Sequence, residues 1–544
     1  MKFDVLIIGG GTSGSAAGIQ SARLGAKTLI IEETLWLGGM ITSAGVSAFD
    51  GNKYAVGGGI FNELRKKIED YYGGADKTYT GWISLTCFEP KVGKMFLHEM
   101  ADAEENLSIW FNTSFIKVLK ENNKIVGAIV KKESEEEVEV FAEIVIDATE
   151  YGDAIASAGI PYRLGRDSKA NTGEVDAPEF ADDEIQDMTF CAILKKYNGK
   201  APEISISKDY NPELFKNSIE DDRDTKDEKY LNHKLHNWES FISYAALPND
   251  KYLLNWPFRS NDYYPTPKEL YENPETRNYH YQKSKEHTLN YVHYMQTKLG
   301  HPEWGLALDE FPTRDHLPFI PYIRESRRMK GLHLLKENEV IPQENSFRPP
   351  LQKDSIAVGD YFLDHHHSSF FRPPDERLIE NLPANAPFQI PFGCLIPEDA
   401  DGFIAAEKSI SVTHIVNGCS RLQPVVMLIG QAAGAIAALS LKRKINVRDV
   451  SINELQDVLI EAGCQLFPYK DLYGDNPVFE AAQKLALKGI YVDNPEFTFI
   501  ADEYVTDEEA ENYFKKVNFK QISITDIIGL KRNDAFLLMF YNIK

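Results

Sequence analysis

The chain begins with the run Val5-Leu6-Ile7-Ile8, which has no polar position inside it. A short run that is apolar on both faces predicts a strand buried within a parallel sheet. It breaks at Gly9-Gly10-Gly11-Thr12-Ser13-Gly14, after which an Ala-rich segment from Ser15 to Leu24 predicts a helix that Gly25 ends. Lys27-Thr28-Leu29-Ile30-Ile31 predicts a second buried strand. Helical spacing from Phe88 to Glu104 leads into short alternating segments at Ile109-Trp110-Phe111, Phe115 to Leu119, Ile125 to Lys131 and Val138 to Phe141. Together they predict a strand meander, with Asn122-Asn123 as a turn. Ile144-Val145-Ile146-Asp147 predicts one more buried strand, ending at Ala148-Thr149. From residue 166 to 350 Pro, Asn, Asp, Tyr and Trp dominate, and the alternation is lost. Apolar segments resume at Phe388 to Pro397 and Gly402 to Ala406, before a small-residue helix from Val425 to Ser440. Pro424 suits its first turn, where a missing N–H costs nothing.

This order predicts an α/β protein with a discontinuous nucleotide-binding domain. Residues 1–165 would form its first part and 386–450 the returning part, with a substrate or cap domain at 166–385 between them and a helical module at 451–544. The glycines supply the chemistry. Gly9 permits a tight turn, Gly11 a close approach of backbone to a pyrophosphate, and Gly14 close packing of helix on strand. Glu32, at the end of the second strand, is placed to accept hydrogen bonds from a ribose diol. The pattern specifies a dinucleotide, but not which one. Gly57-Gly58-Gly59 lacks the later glycine of such a fingerprint, having Asn62 there, so no second dinucleotide site is predicted.

Composition narrows the partners. A formal net charge of -23 argues against nucleic acid and anionic membranes. Five cysteines, none in C-x-x-C spacing, remove the basis for a redox dithiol, a zinc ribbon or an iron-sulfur cluster, and no metal is expected. The first strand starts too early to leave room for a secretory signal, and the apolar stretch Val425 to Leu439 is too short to span a bilayer. A cytoplasmic protein acting on a small-molecule substrate is expected, with homo-oligomerisation left open.

Six segments, in order, resemble the FAD-dependent oxidoreductase family related to fumarate reductase-type flavoproteins and to the flavin domain of heterodisulfide reductase. They are Gly9 to Gly14 with Glu32; Leu37-Gly38-Gly39-Met40; Phe88-Glu89-Pro90; Ile146 to Thr149 with Gly152-Asp153; Pro321 to Arg328; and His414 through Arg421 to Gly434. The resemblance implies a Rossmann-like FAD-binding domain of the glutathione reductase type. By the same resemblance Gly9, Gly11, Thr12, Ser13, Gly14, Glu32 and Glu33 would hold the ADP half of FAD, and Gly38, Gly39 and Met40 would line the pyrophosphate and ribityl region. Ala148 and Thr149 would close over the nucleotide part, Ile116 would be a further cofactor contact, and Gln423, Pro424, Val425 and Val426 would face the flavin ring. Glu150 stands where many relatives have glycine, and Glu407-Lys408 where they have Gly-Arg. The iron-sulfur cysteines of heterodisulfide reductase are absent, so that activity is not implied.

A flavin enzyme of this class moves a hydride to or from flavin N5 while the protein handles a proton. His366 and His367, in Asp364-His365-His366-His367, are candidate proton carriers; a solvent loop with incidental histidines is the rival reading. His414 and Arg421 are candidates for substrate contact, Arg421 as a clamp for a carboxylate or carbonyl, against a structural Arg capping the preceding loop. Arg324, Arg327 and Arg328 read as scaffold, with Glu325 able to pair with Arg328. The expected activity is oxidation or reduction of a small polar, sugar-like or carboxylated metabolite. A flavin-fold scaffold without turnover and an NAD-dependent dehydrogenase are the alternatives.

Overall fold

The computed structural model describes residues 1–51, 57–222, 236–264, 267–366 and 386–543. Strand β1 (Lys2–Ile8) leads through helix α1 (Thr12–Arg23) to β2 (Thr28–Ile31), which pairs parallel with β1 from Val5↔Thr28 to Ile8↔Ile31. Val5, Leu6 and Ile7 are fully buried, as expected of a strand covered on both faces. Helices α2 (Gly59–Tyr72) and α3 (Pro90–Asp102) follow, then β3 (Leu107–Trp110), β4 (Thr113–Glu121), β5 (Lys124–Lys132) and β6 (Glu137–Asp147). The order across the sheet is β3-β2-β1-β6-β5-β4.

Two expectations are corrected here. The segment at Ile109-Trp110 is not part of the meander; as β3 it lies parallel beside β2, Ile30↔Ile109, because the α3 crossover returns the chain in the same direction. Val138–Phe141 and Ile144–Asp147 are one strand. The first half of β6 is antiparallel to β5, and the second half is parallel to β1. The hairpin at Asn122-Asn123 forms as expected, with Asn122 at φ 54°.

After helix α4 (Asp153–Ala158) the chain builds a second, antiparallel sheet from β7 (Ala192–Lys196), β8 (Ala246–Leu247), β9 (Lys251–Leu254) and, beyond the long helix α5 (Pro274–Thr297), β10 (Trp304–Leu306). Buried Lys251 ties this region to the first. Its Nζ lies 2.8 Å from Glu89, at the start of α3, and 2.7 Å from Glu310. The chain then returns as β11 (Phe403–Ala405), parallel to β6.

Helix α6 (His414–Ser420) precedes α7 (Gln423–Arg443), which has a proline in its first turn. Helix α7 packs along α1 so closely that a Cβ at Gly430 would lie 2.0 Å from the Ser13 carbonyl oxygen. Its 21 residues make it long and apolar enough to cross a membrane, which corrects the expectation drawn from the apolar stretch alone. Gln423 to Ser440 are buried inside the protein, where the hydrophobic character of the helix serves the core. Helices α8 (Ile452–Glu461), α9 (Phe479–Leu487), α10 (Asp507–Lys516) and α11 (Arg532–Asn542) complete the chain. Arg348 fastens them, its guanidinium 4.7 Å from the Phe467 ring centre and donating to the Pro468 carbonyl at 2.8 Å.

Candidate functional site

At the carboxyl ends of β1, β2 and β6 lies a cavity of about 790 Å³, within the roughly 300–1,000 Å³ of ligand pockets. Gly9, Gly11, Glu32, Glu33, Gly39, Ile116, Ala148 and Thr149 all line it. Thr12, Ser13, Gly14, Gly38 and Met40 are buried in the same segments but are not among the residues that line it. The turn is compact because its glycines carry no side chains: a Cβ at Gly14 would lie 2.0 Å from the Gly9 carbonyl oxygen, and one at Gly39 2.7 Å from Gly11 Cα. Glu32 braces the turn by accepting the Gly10 N–H at 2.8 Å and the Thr34 hydroxyl at 2.7 Å. Burial pushes its carboxyl up to about 7, against those bonds. Asp147 accepts the Thr149 and Ile155 amides, fixing the turn from β6 into α4. From the inserted region, Tyr281 and Arg277 on α5 close the opposite side of the cavity. A glycine cradle at a helix N-terminus, an acidic residue at the end of β2 and a cavity of this size fit FAD.

A second cluster gathers at the segment before α7. His366 Nδ1 lies 2.7 Å from Asp262 Oδ2, and Nε2 lies 3.2 Å from Asp364 Oδ2. Arg421, at the C-terminal end of α6, places Nη2 2.8 Å from the same Asp364 oxygen and donates through Nη1 to the Tyr322 hydroxyl at 2.5 Å. Arg324 Nη2 reaches Asp262 Oδ1 at 3.2 Å. His366 and Asp364 keep 14% and 23% of their side-chain surface exposed, so this buried network has a reachable face.

Burial works against the Asp364 charge, but His366 and Arg421 outweigh it and hold the carboxyl well below its usual range. Asp262 is likewise lowered, by Arg324 and His366. Asp50 goes the other way. Burial first, then the nearby Asp364, push it up to about 8, with Arg421 opposing. Its backbone N–H donates to Gln423 Oε1 at 3.2 Å, which puts it at the first turn of α7 beside Pro424, Val425 and Val426.

The sequence candidates therefore divide. His366 and Arg421 meet through Asp364. His414 lies deeper, Nδ1 3.0 Å from Glu325 Oε1, with its ring stacked on His365 at 4.9 Å. Burial raises Glu325 to about 7, against Arg328, which sits 3.2 Å away as the i,i+3 pairing predicts. His367 lies outside the described residues. Asp50 and Asp262 were not singled out, because neither stands in a motif; the sole trace of Asp262 is the aromatic Tyr263-Tyr264 after it.

The sequence profile of the FAD-dependent oxidoreductase family matches residues 4–459. The chain belongs to that family, and FAD is its cofactor. Among curated proteins, this flavoprotein is similar to digeranylgeranylglycerophospholipid reductase of Sulfolobus acidocaldarius, with 28% identity over 201 residues, 36% of this chain and 41% of that one. It is also similar to the reductase of the same name from Picrophilus torridus, with 31% identity over 169 residues, 27% of this chain and 39% of that one. The matches thus span about two fifths of those relatives' length. Among solved structures, a geranylgeranyl bacteriochlorophyll reductase-like protein from Thermoplasma acidophilum is 13% identical with TM-score 0.35, covering 85% of this chain and 83% of that one. A flavin-dependent brominase is 12% identical with TM-score 0.34, covering 90% and 86%.

Proposed function

We propose that this flavoprotein oxidises or reduces a small polar metabolite, sugar-like or carboxylated, with His366 as the proton carrier. The observation that supports this is His366 itself, held between Asp262 and Asp364 with Arg421 behind. Bound FAD supplies the hydride acceptor or donor at flavin N5. Asp262 takes the Nδ1–H of His366 and so fixes the ring, leaving Nε2, beside the ionised Asp364, to exchange a proton with substrate. Arg421 and Arg324 hold the two carboxylates ionised and in place. A hydrocarbon substrate against these groups would strip their water without replacing it, which is costly; hydroxyls or a carboxylate would replace it. All five cysteines are buried and none is paired in a disulfide, which supports reading the protein as one of a reducing compartment.

A second reading follows from the relatives, whose name is that of a lipid reductase: the substrate is an isoprenoid chain and the flavin must first be reduced. Anaerobic mixing separates the two. If the polar reading holds, either sugars, polyols or hydroxy acids bleach the oxidised flavin, or their carbonyl or unsaturated counterparts reoxidise the photoreduced flavin. Reoxidation of the photoreduced flavin by an unsaturated isoprenoid, with no response to the polar panel, would replace it with the second.

A further inference from the structure

Glu150 follows Thr149 at the end of β6 and lines the cofactor cavity. Its Oε1 would lie 3.1 Å from a Cβ at Gly39 and 3.7 Å from one at Gly11, so the carboxyl sits beside the slot between the two glycines. Behind it the buried Lys408 places Nζ 2.6 Å from Glu150 Oε2 and 2.8 Å from Glu407 Oε1. The other Glu407 oxygen accepts the Ser13 N–H in the first turn of α1 at 2.8 Å, from a backbone in the left-handed region at φ 55°. Two carboxyls therefore share one ammonium, and Glu150 Oε1 has no hydrogen-bond partner among the described residues.

The remaining charged groups facing Glu150 do not balance it. Glu32 and Glu33 at the end of β2 are acidic, and Tyr281 on α5 is neutral. Arg277 and Arg327 also line the cavity but are engaged by Asp153, at 2.9 and 2.8 Å. The FAD pyrophosphate brings further negative charge to this cradle, and like charges at such range disfavour joint ionisation.

We propose that Glu150 couples cofactor binding to a proton: the chain holds FAD with Glu150 in its neutral carboxyl form, Oε–H donating into the cradle, and takes up one solvent proton on Glu150 when FAD binds to the ionised form. No covalent bond changes; the carboxylate and a solvent proton become a carboxyl. Burial, with Glu407 adding to it and Lys408 opposing, already pushes this group up to about 7. A neighbouring pyrophosphate moves it further up. Below that range Glu150 is neutral with or without FAD, and affinity does not depend on pH. Above it, the ionised form competes with binding, and the dissociation constant rises by up to about tenfold per pH unit.

The test is equilibrium release of FAD from diluted full-length holoprotein, read by the fluorescence of freed flavin across about pH 6 to 9. The wild-type Kd is expected to be level at the acid end and to climb above about pH 7. Glu150→Gln removes the climb, matches wild type at pH 6, and binds FAD roughly tenfold more tightly at pH 8. Loss of a merely structural side chain would not tighten binding. Glu32→Gln, which removes another raised carboxyl of the cavity, keeps the climb. If Glu150→Gln does not fold, Glu150→Ala serves, with the same flattening expected. A level wild-type Kd, a climb that persists without the Glu150 carboxyl, or one that vanishes in Glu32→Gln overturns the proposal.

Discussion

The cofactor cradle is made of backbone, whereas the charged centre beside α7 is made of side chains from separate stretches of chain. Gly9, Gly10, Gly11 and Gly14 shape the cradle by lacking side chains, and Glu32 reaches back to Gly10 from the end of the next strand. The centre draws Asp50, Asp262, Tyr322 with Arg324, Asp364 with His366, and Arg421 from regions hundreds of residues apart. The cradle tolerates almost no added atoms and offers shape; the centre offers charge. If His366 is the proton carrier proposed above, binding and chemistry are open to separate disruption.

The largest effect expected is on turnover. His366→Gln should lower kcat roughly 10²- to 10⁴-fold, the usual share of a positioned acid or base, while FAD release by fluorescence stays as in wild type. Loss of FAD in this variant would show that the two regions are not separable. The converse variant, Gly14→Val, forces a side chain onto the Gly9 carbonyl; an overpacking cost of about 1–3 kcal/mol should weaken FAD retention roughly 10- to 100-fold. Cofactor content after gel filtration checks it, and turnover per bound FAD should remain near wild type. The third effect is on stability and concerns Asp50, whose folded-state value of about 8 lies far above that of an unfolded chain. The native state holds its proton where the unfolded state has lost it, so wild-type stability declines as pH rises from about 4 to 8. Asp50→Asn removes that decline. Urea unfolding should show a stabilisation that is absent at the acid end, grows through this window and levels off above it; parallel curves would mean that the carboxyl is not desolvated.

These two regions were also unequally legible. The cradle could be read because its residues are local and its physics is steric: glycines in a strand-to-helix turn have few other uses, and the family segments fixed FAD from them. His366 and Arg421 could be named as candidates because each stands in a marked segment. Asp262 and Asp50 could not, since an aspartate in a polar loop looks the same whether or not an imidazole or a second carboxylate folds against it. The same limit misplaced β3. Alternation in Ile109-Trp110-Phe111 specifies a strand, but the direction of its neighbour depends on the crossover before it.

By itself, then, the sequence determined the elements, the discontinuous α/β plan and the dinucleotide cradle, because periodicity and glycine sterics act over a few residues. Tertiary structure alone decided that Lys408 must serve both Glu150 and Glu407, that Asp262 orients His366, and that the apolar α7 lies in the core. Those outcomes are electrostatic and hydrophobic, and such energies depend on burial and on distances between residues that only the folded chain brings together.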